Sequence, residues 1–392
     1  MAQDNITIQG PITSSTGSHN THVGIGTAAN TLYSTDNVHI GYNAGYSTSG
    51  AAFNVFVGSR AGYSNTTGLG NVFIGNVAGR QNTSGGSNVF MGSAAGSNNT
   101  TGNENTFIGS ASGQNNSTGT SNTFIGRYAG QTNLTGNSNS FFGQNAGNQN
   151  TTGNNNTFLG TNAGYYNNTG YYNAYVGYGA GYNGTAGYSN VFVGPFAGYT
   201  NSTGYNNSFV GHDAGQMNTT GFSNVFIGRK SGYSNQSNKY NTHVGDQAGY
   251  NAVADSNTFV GYQSGYNTTT GQSNTFFGTA SGLSITSGNH NTFIGNKSGA
   301  TNANGDDNVY IGYTSGENDK GSRNTFIGRQ TGVALASKEQ FLTNATAIGA
   351  GATVACSNAL ILGNEANVGI GTTNPSARLE VVSSTSDESG LR

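Results

Sequence analysis

Four carboxylates gathered late in the chain, Asp306, Asp307, Glu317 and Asp319, are the residues closest to a catalytic set. Paired carboxylates would suit hydrolysis of a glycosidic bond, one acting as acid and the other as base or nucleophile. All four sit in Asn- and Gly-rich segments that read as turns, and solvated turn residues are the simpler reading. No nucleophile elbow, zinc-ligand spacing or phosphate-binding loop accompanies them. The expectation is therefore a protein that is not an enzyme, with no catalytic residues, no metal and no cofactor.

Three histidines, His22, His39 and His243, each replace Phe in a recurring word described below. If that position faced a three-fold axis, copies from three chains would converge into rings suited to an ion or a water. The alternative is an aromatic substitute held by hydrogen bonds. Tyrosines cluster at Tyr165, Tyr166, Tyr171, Tyr172, Tyr178, Tyr182, Tyr188 and Tyr199. Many fall in turns and are expected to point outward, where aromatics stack on sugar faces or make lateral contacts. Packing that merely covers neighbouring turns is the competing reading. Triplets such as Asn65-Thr-Thr, Asn133-Leu-Thr and Asn218-Thr-Thr match the glycosylation acceptor pattern, although turn chemistry produces them as well. Cys356 is the only cysteine, so a disulfide within one chain is excluded. It reads as a small buried apolar residue, with an inter-chain bridge as the alternative.

The 392 residues include 65 glycines and no tryptophan, and only 7% are charged against about 25% in an ordinary soluble chain. So polar a chain suggests disorder at first, because little apolar surface is available to bury. The net charge of −2 offers no basic patch for nucleic acid or an anionic membrane. No apolar run reaches the roughly 18 residues of a membrane span.

Periodicity overturns the expectation of disorder. Aligned on the glycine of Asn54-Val-Phe-Val-Gly58, the same word returns at Gly75, Gly92 and Gly109 and continues to Gly328. The step is 17 residues, shortened to 16 at Gly245–Gly261 and Gly312–Gly328. Counted from Gly41 there are 18 copies, with a degenerate one at Asn20-Thr-His-Val-Gly24. Numbered from that glycine, position −4 is always Asn (Asn54, Asn71, Asn105) and position −2 is Phe in 14 copies (Phe56, Phe73, Phe107). Position −1 is always apolar, +3 is Ala, Ser or Thr, and +4 is Gly; a third glycine recurs at +10, usually behind an Asn-Thr-Thr turn.

Three glycines per repeat would each cost a helix about 1 kcal/mol, so helical repeats are excluded. Short β-branched and aromatic words closed by glycine read instead as strands ending in corners that need φ > 0 or close backbone approach. The small +3 residue suits a second short strand crossing a thin interior. The −4 Asn reads as a stacked amide ladder. Each repeat is one rung of an all-β β-solenoid, stabilised by its neighbours. Nineteen rungs at about 4.8 Å give a rod of roughly 90 Å.

Successive strand residues point to opposite faces, so Phe at −2 faces one way and the apolar −1 and Val/Thr −3 residues the other. One solenoid has one interior, which leaves an apolar stripe larger than a soluble monomer tolerates. Such a strand asks for partners.

The repeated Ile-Gly-x-x-Ala…Gly word resembles the left-handed β-roll heads of trimeric autotransporter adhesins and related bacterial and phage tail-fibre proteins. The match is tightest at Ala347-Ile-Gly-Ala-Gly-Ala352 and Ala359-Leu-Ile-Leu-Gly363, where the step shortens to 14 residues. The segment from Asn367 to Val381 is similar to one common in tail-fibre proteins. The resemblance implies a homotrimer and an extracellular, cell-surface or virion-associated structural fibre or adhesin shaft. It also admits a receptor-binding fibre that recognises glycans through the Tyr-rich stretch, and end-to-end assembly into filaments. Nucleic acid and membrane insertion are not expected, and no signal peptide is visible at Met1. The expected organisation is a lead-in over 1–19, the 17-residue shaft over 20–332, an irregular insertion over 333–346, adhesin-head-like rungs over 347–371, and a strand and tail over 372–392.

Overall fold

The computed structural model describes residues 19–29, 33–334 and 341–382. Most of the expected lead-in, part of the insertion and the last residues of the tail lie outside them. The fold is an all-β parallel β-solenoid of about 20 turns with a repeat of about 17 residues. Among the described residues there are short strands and no helix. The chain divides into two compact units, Met1–Gly221 and Phe222–Arg392.

In the first unit each rung contributes a three-residue strand, from Thr21–Val23 to Ser208–Val210. Each pairs in parallel with the next at a shift of one repeat, as in Val55↔Val72, Phe56↔Phe73 and Val57↔Ile74. The second unit continues the pattern from Val225–Ile227. There the two 16-residue steps appear as Thr242↔Thr258 and Val309↔Thr325. The insertion stretches one step to Thr325↔Thr346, and the next pairing, Thr346↔Leu360, has the 14-residue step. A separate pair, Val368–Ile370 with Leu379–Val381, follows.

Sequence explains the rung. The Phe row points inward and is fully buried from Phe56 to Phe209 and again from Phe226 to Phe326. The strand spacing sets the rings apart: Phe73 and Phe90 stack with centroids 4.7 Å apart and planes 7° from parallel. Each ring lies against the +4 glycine of its own rung, where a Cβ on Gly62 would stand 2.6 Å from the Phe56 ring. Gly62 also has φ +58°, so both space and backbone demand glycine there. The +3 alanines, such as Ala61 and Ala78, complete this wall at zero exposure.

Two expectations need correction. In the rungs before Gly328 the residues around +3 form no second strand; they run as turns whose amides still bond from rung to rung, as Gly62 N–H does to the Ala78 carbonyl (3.0 Å). Only Gly332–Val333 and Thr353–Val354 pair there as short parallel strands among the described residues. Left-handed corners are also not confined to glycine. Arg60, Val77 and Lys230 at +2, and Phe53, Ser87 and Glu104 at +12, have φ between +53° and +62°. Such a conformation costs a non-glycine residue roughly 1–2 kcal/mol. It is offset by inter-rung bonds such as Val77 N–H to the Ser59 carbonyl (2.9 Å).

Candidate interaction surface

The −4 asparagines form the expected ladder. The Asn54 backbone N–H donates to Oδ1 of Asn37 (3.0 Å), and its Nδ2 donates to that oxygen (3.0 Å) and to the Gly68 carbonyl (3.0 Å). Asn105 repeats all three bonds, and Asn71 the backbone and carbonyl bonds. The glycines Gly58, Gly75 and Gly109 stack so closely that a Cβ on Gly58 would meet the Gly75 carbonyl oxygen at 2.4 Å.

A second ladder runs through the +7 position. Asn82 Nδ2 donates to Asn65 Oδ1 at 2.7 Å, and Asn99, Asn116, Asn133 and Asn150 continue the series. Sequence reasoning placed these residues in turns, and the signal available was that +7 is Asn without a break from Asn65 to Asn167 while +8 and +9 vary. The glycosylation-like triplets Asn65, Asn133 and Asn218 all begin at this position, and all three asparagines are fully buried.

The −2 position faces the interior of the single coil, not an axis shared between chains. The ring-forming role considered for the histidines is therefore corrected. His39 stacks on Phe56 at 4.9 Å, and His243 lies between Phe226 and Phe259 at 4.9 and 4.8 Å. His22 heads the row, 5.1 Å from His39. Burial lowers the pKa of His243 to about 3. Burial, and then the charge of His22, does the same to His39.

The late carboxylates do not form a set. Asp307 is exposed and Asp306 half-buried, accepting from the Asn289 backbone N–H (2.8 Å). Glu317 is half-buried. Asp319 is fully buried, which corrects its reading as a solvated turn residue. It occupies the +7 position and accepts from the Tyr310 hydroxyl, the Gly321 N–H (3.0 Å) and Asn324 Nδ2 (2.7 Å). Burial, and then the Asp319 charge, raises the Tyr310 pKa well above its ordinary value. Cys356 is exposed, not buried.

The tyrosines fall into two stacked rows. Tyr165, Tyr182 and Tyr199 stack at 5.2 and 5.0 Å, and Tyr171, Tyr188 and Tyr205 at 5.0 and 4.8 Å. Ring faces inside a stack are covered by their neighbours, so these rows present edges and hydroxyls. Desolvation in the rows, followed by neighbouring phenols, raises the pKa of Tyr182 and Tyr188. Tyr166, Tyr172 and Tyr178 are exposed and meet their neighbours at near-perpendicular angles, outside the stacked rows.

The outer face of every strand carries the stripe that alternation requires. Position −1 is apolar throughout, and it is half-buried or exposed in every copy; Leu159 is 50% exposed and Phe277 57%. Val191 at −3 extends the stripe in the first unit. No helix among the described residues is long and apolar enough to cross a membrane. No protein-family model matches the chain, and no curated protein matches it.

Proposed function

We propose that this chain is a non-catalytic structural fibre module that works as a homo-oligomer, with the −1/−3 face of each coil packed on other copies. One observation carries the reading: the interior is already filled by the Phe row, yet a second continuous apolar row remains in water. Half-exposed Val, Ile and Leu side chains recover roughly 1 kcal/mol each on burial. The twelve −1 residues of the first unit, Val23 to Val210, thus represent on the order of 10 kcal/mol. That is comparable with the approximately 4–15 kcal/mol that association costs, so contact along many rungs favours assembly where a few rungs would not. Adhesin heads and tail fibres, which the repeat resembles, supply the expectation of three chains and of an extracellular or virion-borne location.

Sedimentation equilibrium tests the proposal. A trimer of 40.0 kDa chains has a mass of about 120 kDa. A single chain that stays monomeric up to high concentration sinks the reading.

The exposed rings of Tyr166, Tyr172 and Tyr178 favour a second role, recognition of a surface glycan by the Tyr-rich stretch. Retention on a glycan array that is lost in Y166S/Y172S/Y178S supports it; unchanged retention, or none by the parent chain, removes it.

A further inference from the structure

Inside each rung the tip of the −2 ring meets the +7 row. The Tyr310 hydroxyl contacts both Asn302 and Asp319, the +7 residues of its neighbouring and its own rung. A Cβ on Gly184 would likewise stand 3.5 Å from Tyr175 Oη. The usual occupants are Phe and Asn, which fill this space and continue the ladder.

The rung at Gly245 departs on both sides. His243 stands at −2, shorter than Phe, and Ala252 at +7, shorter than Asn; both are fully buried. The +7 neighbours are Asn235 before it and Thr268 after it, also fully buried. Five polar groups here have no hydrogen-bonding partner: Nδ1 and Nε2 of His243, Oδ1 and Nδ2 of Asn235 and Oγ1 of Thr268. From Asn65 to Asn150 each Asn Oδ1 in the row accepts from the next rung's amide, as Asn65 does from Asn82 at 2.7 Å. At Ala252 that donor is missing.

We infer that this rung is a built internal hydration site, in which one or two water molecules take the place of the missing ladder amide and bridge His243, Asn235 and Thr268. A buried water needs about 30 Å³ and two to four polar partners. Loss of a carboxamide at +7, together with the shorter ring, supplies room of that order. The groups suit it chemically: a neutral imidazole has one donor and one acceptor nitrogen, the Asn oxygen accepts, and the hydroxyl does either. Burial keeps His243 neutral. Leaving these groups dry would cost more than immobilising a water does.

Two substitutions at one position test the site, because the +7 row accepts both side chains elsewhere: Asn in most rungs and a fully buried Ile285 in another. In the full-length protein, Ala252→Asn restores an amide to Asn235 Oδ1 and should hold or raise Tm. Ala252→Ile expels the water without replacing its bonds and should lower Tm by about 2 °C or more. A rise in Tm with Ile means a dry cavity and overturns the inference; a fall with both means no room for water and overturns it too. High-resolution density for a water within hydrogen-bonding distance of a His243 nitrogen and of Asn235 Oδ1 or Thr268 Oγ1 would support it directly. An empty or protein-filled site there overturns it.

Discussion

Tyr175 and Gly184 face each other inside one rung: a Cβ on Gly184 would stand 3.5 Å from the Tyr175 hydroxyl, so a longer side chain at 184 would crowd that oxygen. Their neighbours register the exchange, because Asn167 Oδ1, which would otherwise accept from a +7 amide at residue 184, has no partner. Gly184 has no left-handed backbone, and its N–H bonds to the Gly181 carbonyl (3.1 Å) as +7 asparagines bond to their +4 glycines.

Gly184→Asn alone should therefore overpack the rung and cost about 1–3 kcal/mol. Tyr175→Phe alone should be nearly neutral, since it removes a buried hydroxyl whose neighbouring amide, Asn190, is already bonded to Asn173 and Gly204, but leaves a small gap. The double substitution Y175F/G184N rebuilds the standard pair and satisfies Asn167, so it should exceed the parent chain by about 1 kcal/mol. Denaturation of all four proteins gives the coupling directly. Additive effects would show that the two side chains do not share one space.

The −4 ladder predicts a sharp contrast between adjacent residues. Asn105 is fully buried, bonds to Asn88 Oδ1 and the Gly119 carbonyl, and accepts from the N–H and Nδ2 of Asn122. Asn105→Ala strands these groups and should cost roughly 2–4 kcal/mol. Thr106→Val next to it, on the outer face, should cost under about 0.5 kcal/mol. Equal losses of thermal stability at the two positions would contradict the ladder.

Legibility followed chemistry. Asn105 and Phe107 were readable as stacked structural residues because a 17-residue period leaves few other reasons for Asn and Phe at fixed positions. Asn65 was not, because Asn-Thr-Thr-Gly is also ordinary turn chemistry, and only the fixity of its first residue marked an inward side chain. Val77 and Lys230 were invisible as left-handed corners, since nothing in a β-branched or long side chain announces φ near +54°. Inter-rung bonds impose that conformation, and those exist only once the coil is stacked. Asp319 was misread for a related reason: its partners Tyr310 and Asn324 meet it only inside the folded rung. The identity of the inward face also depended on stacking, and with it the fate of His39 and His243.

Those two histidines predict a stability profile in acid. Both are held neutral with pKa values near 3, against 6.5 ordinarily. As pH falls below 6.5 the unfolded chain takes up protons that the folded coil refuses, so stability drops progressively until about pH 3. By pH 4 the loss is on the order of 3 kcal/mol per ring. The variant H39F/H243F should lose distinctly less Tm than the parent between pH 7 and pH 4, with the carboxylate contribution common to both. Parallel pH curves would show that the rings protonate in place.

Burial of the +7 row makes a prediction about modification. Asn65, Asn133 and Asn218 match the acceptor pattern, yet their amides lie inside the coil, where a glycan has no room. Folded protein secreted from a glycosylating host should carry no glycan at these three positions by peptide mass spectrometry. A glycan on any of them in soluble, folded material would mean that the +7 row does not face inward.

The outer stripe gives the test that bears most directly on function. Met91, Phe142 and Leu159 project from strand positions on the face opposite the buried rings. Replacing all three with Lys leaves the Phe stack and both ladders untouched, so the fold of the single coil should persist. Each Lys removes roughly 1 kcal/mol of burial and adds a charge that a packed interface must desolvate. Over three rungs the association constant should fall more than about 100-fold, moving the mass toward that of one 40.0 kDa chain with an unchanged circular dichroism spectrum. Charge placed elsewhere is the control: Ser93→Lys, an exposed corner residue just past the strand, should leave the mass as it was. If the triple variant keeps the parent's mass, the copies meet through some other face. If both variants dissociate, general repulsion is responsible and the stripe is not the contact.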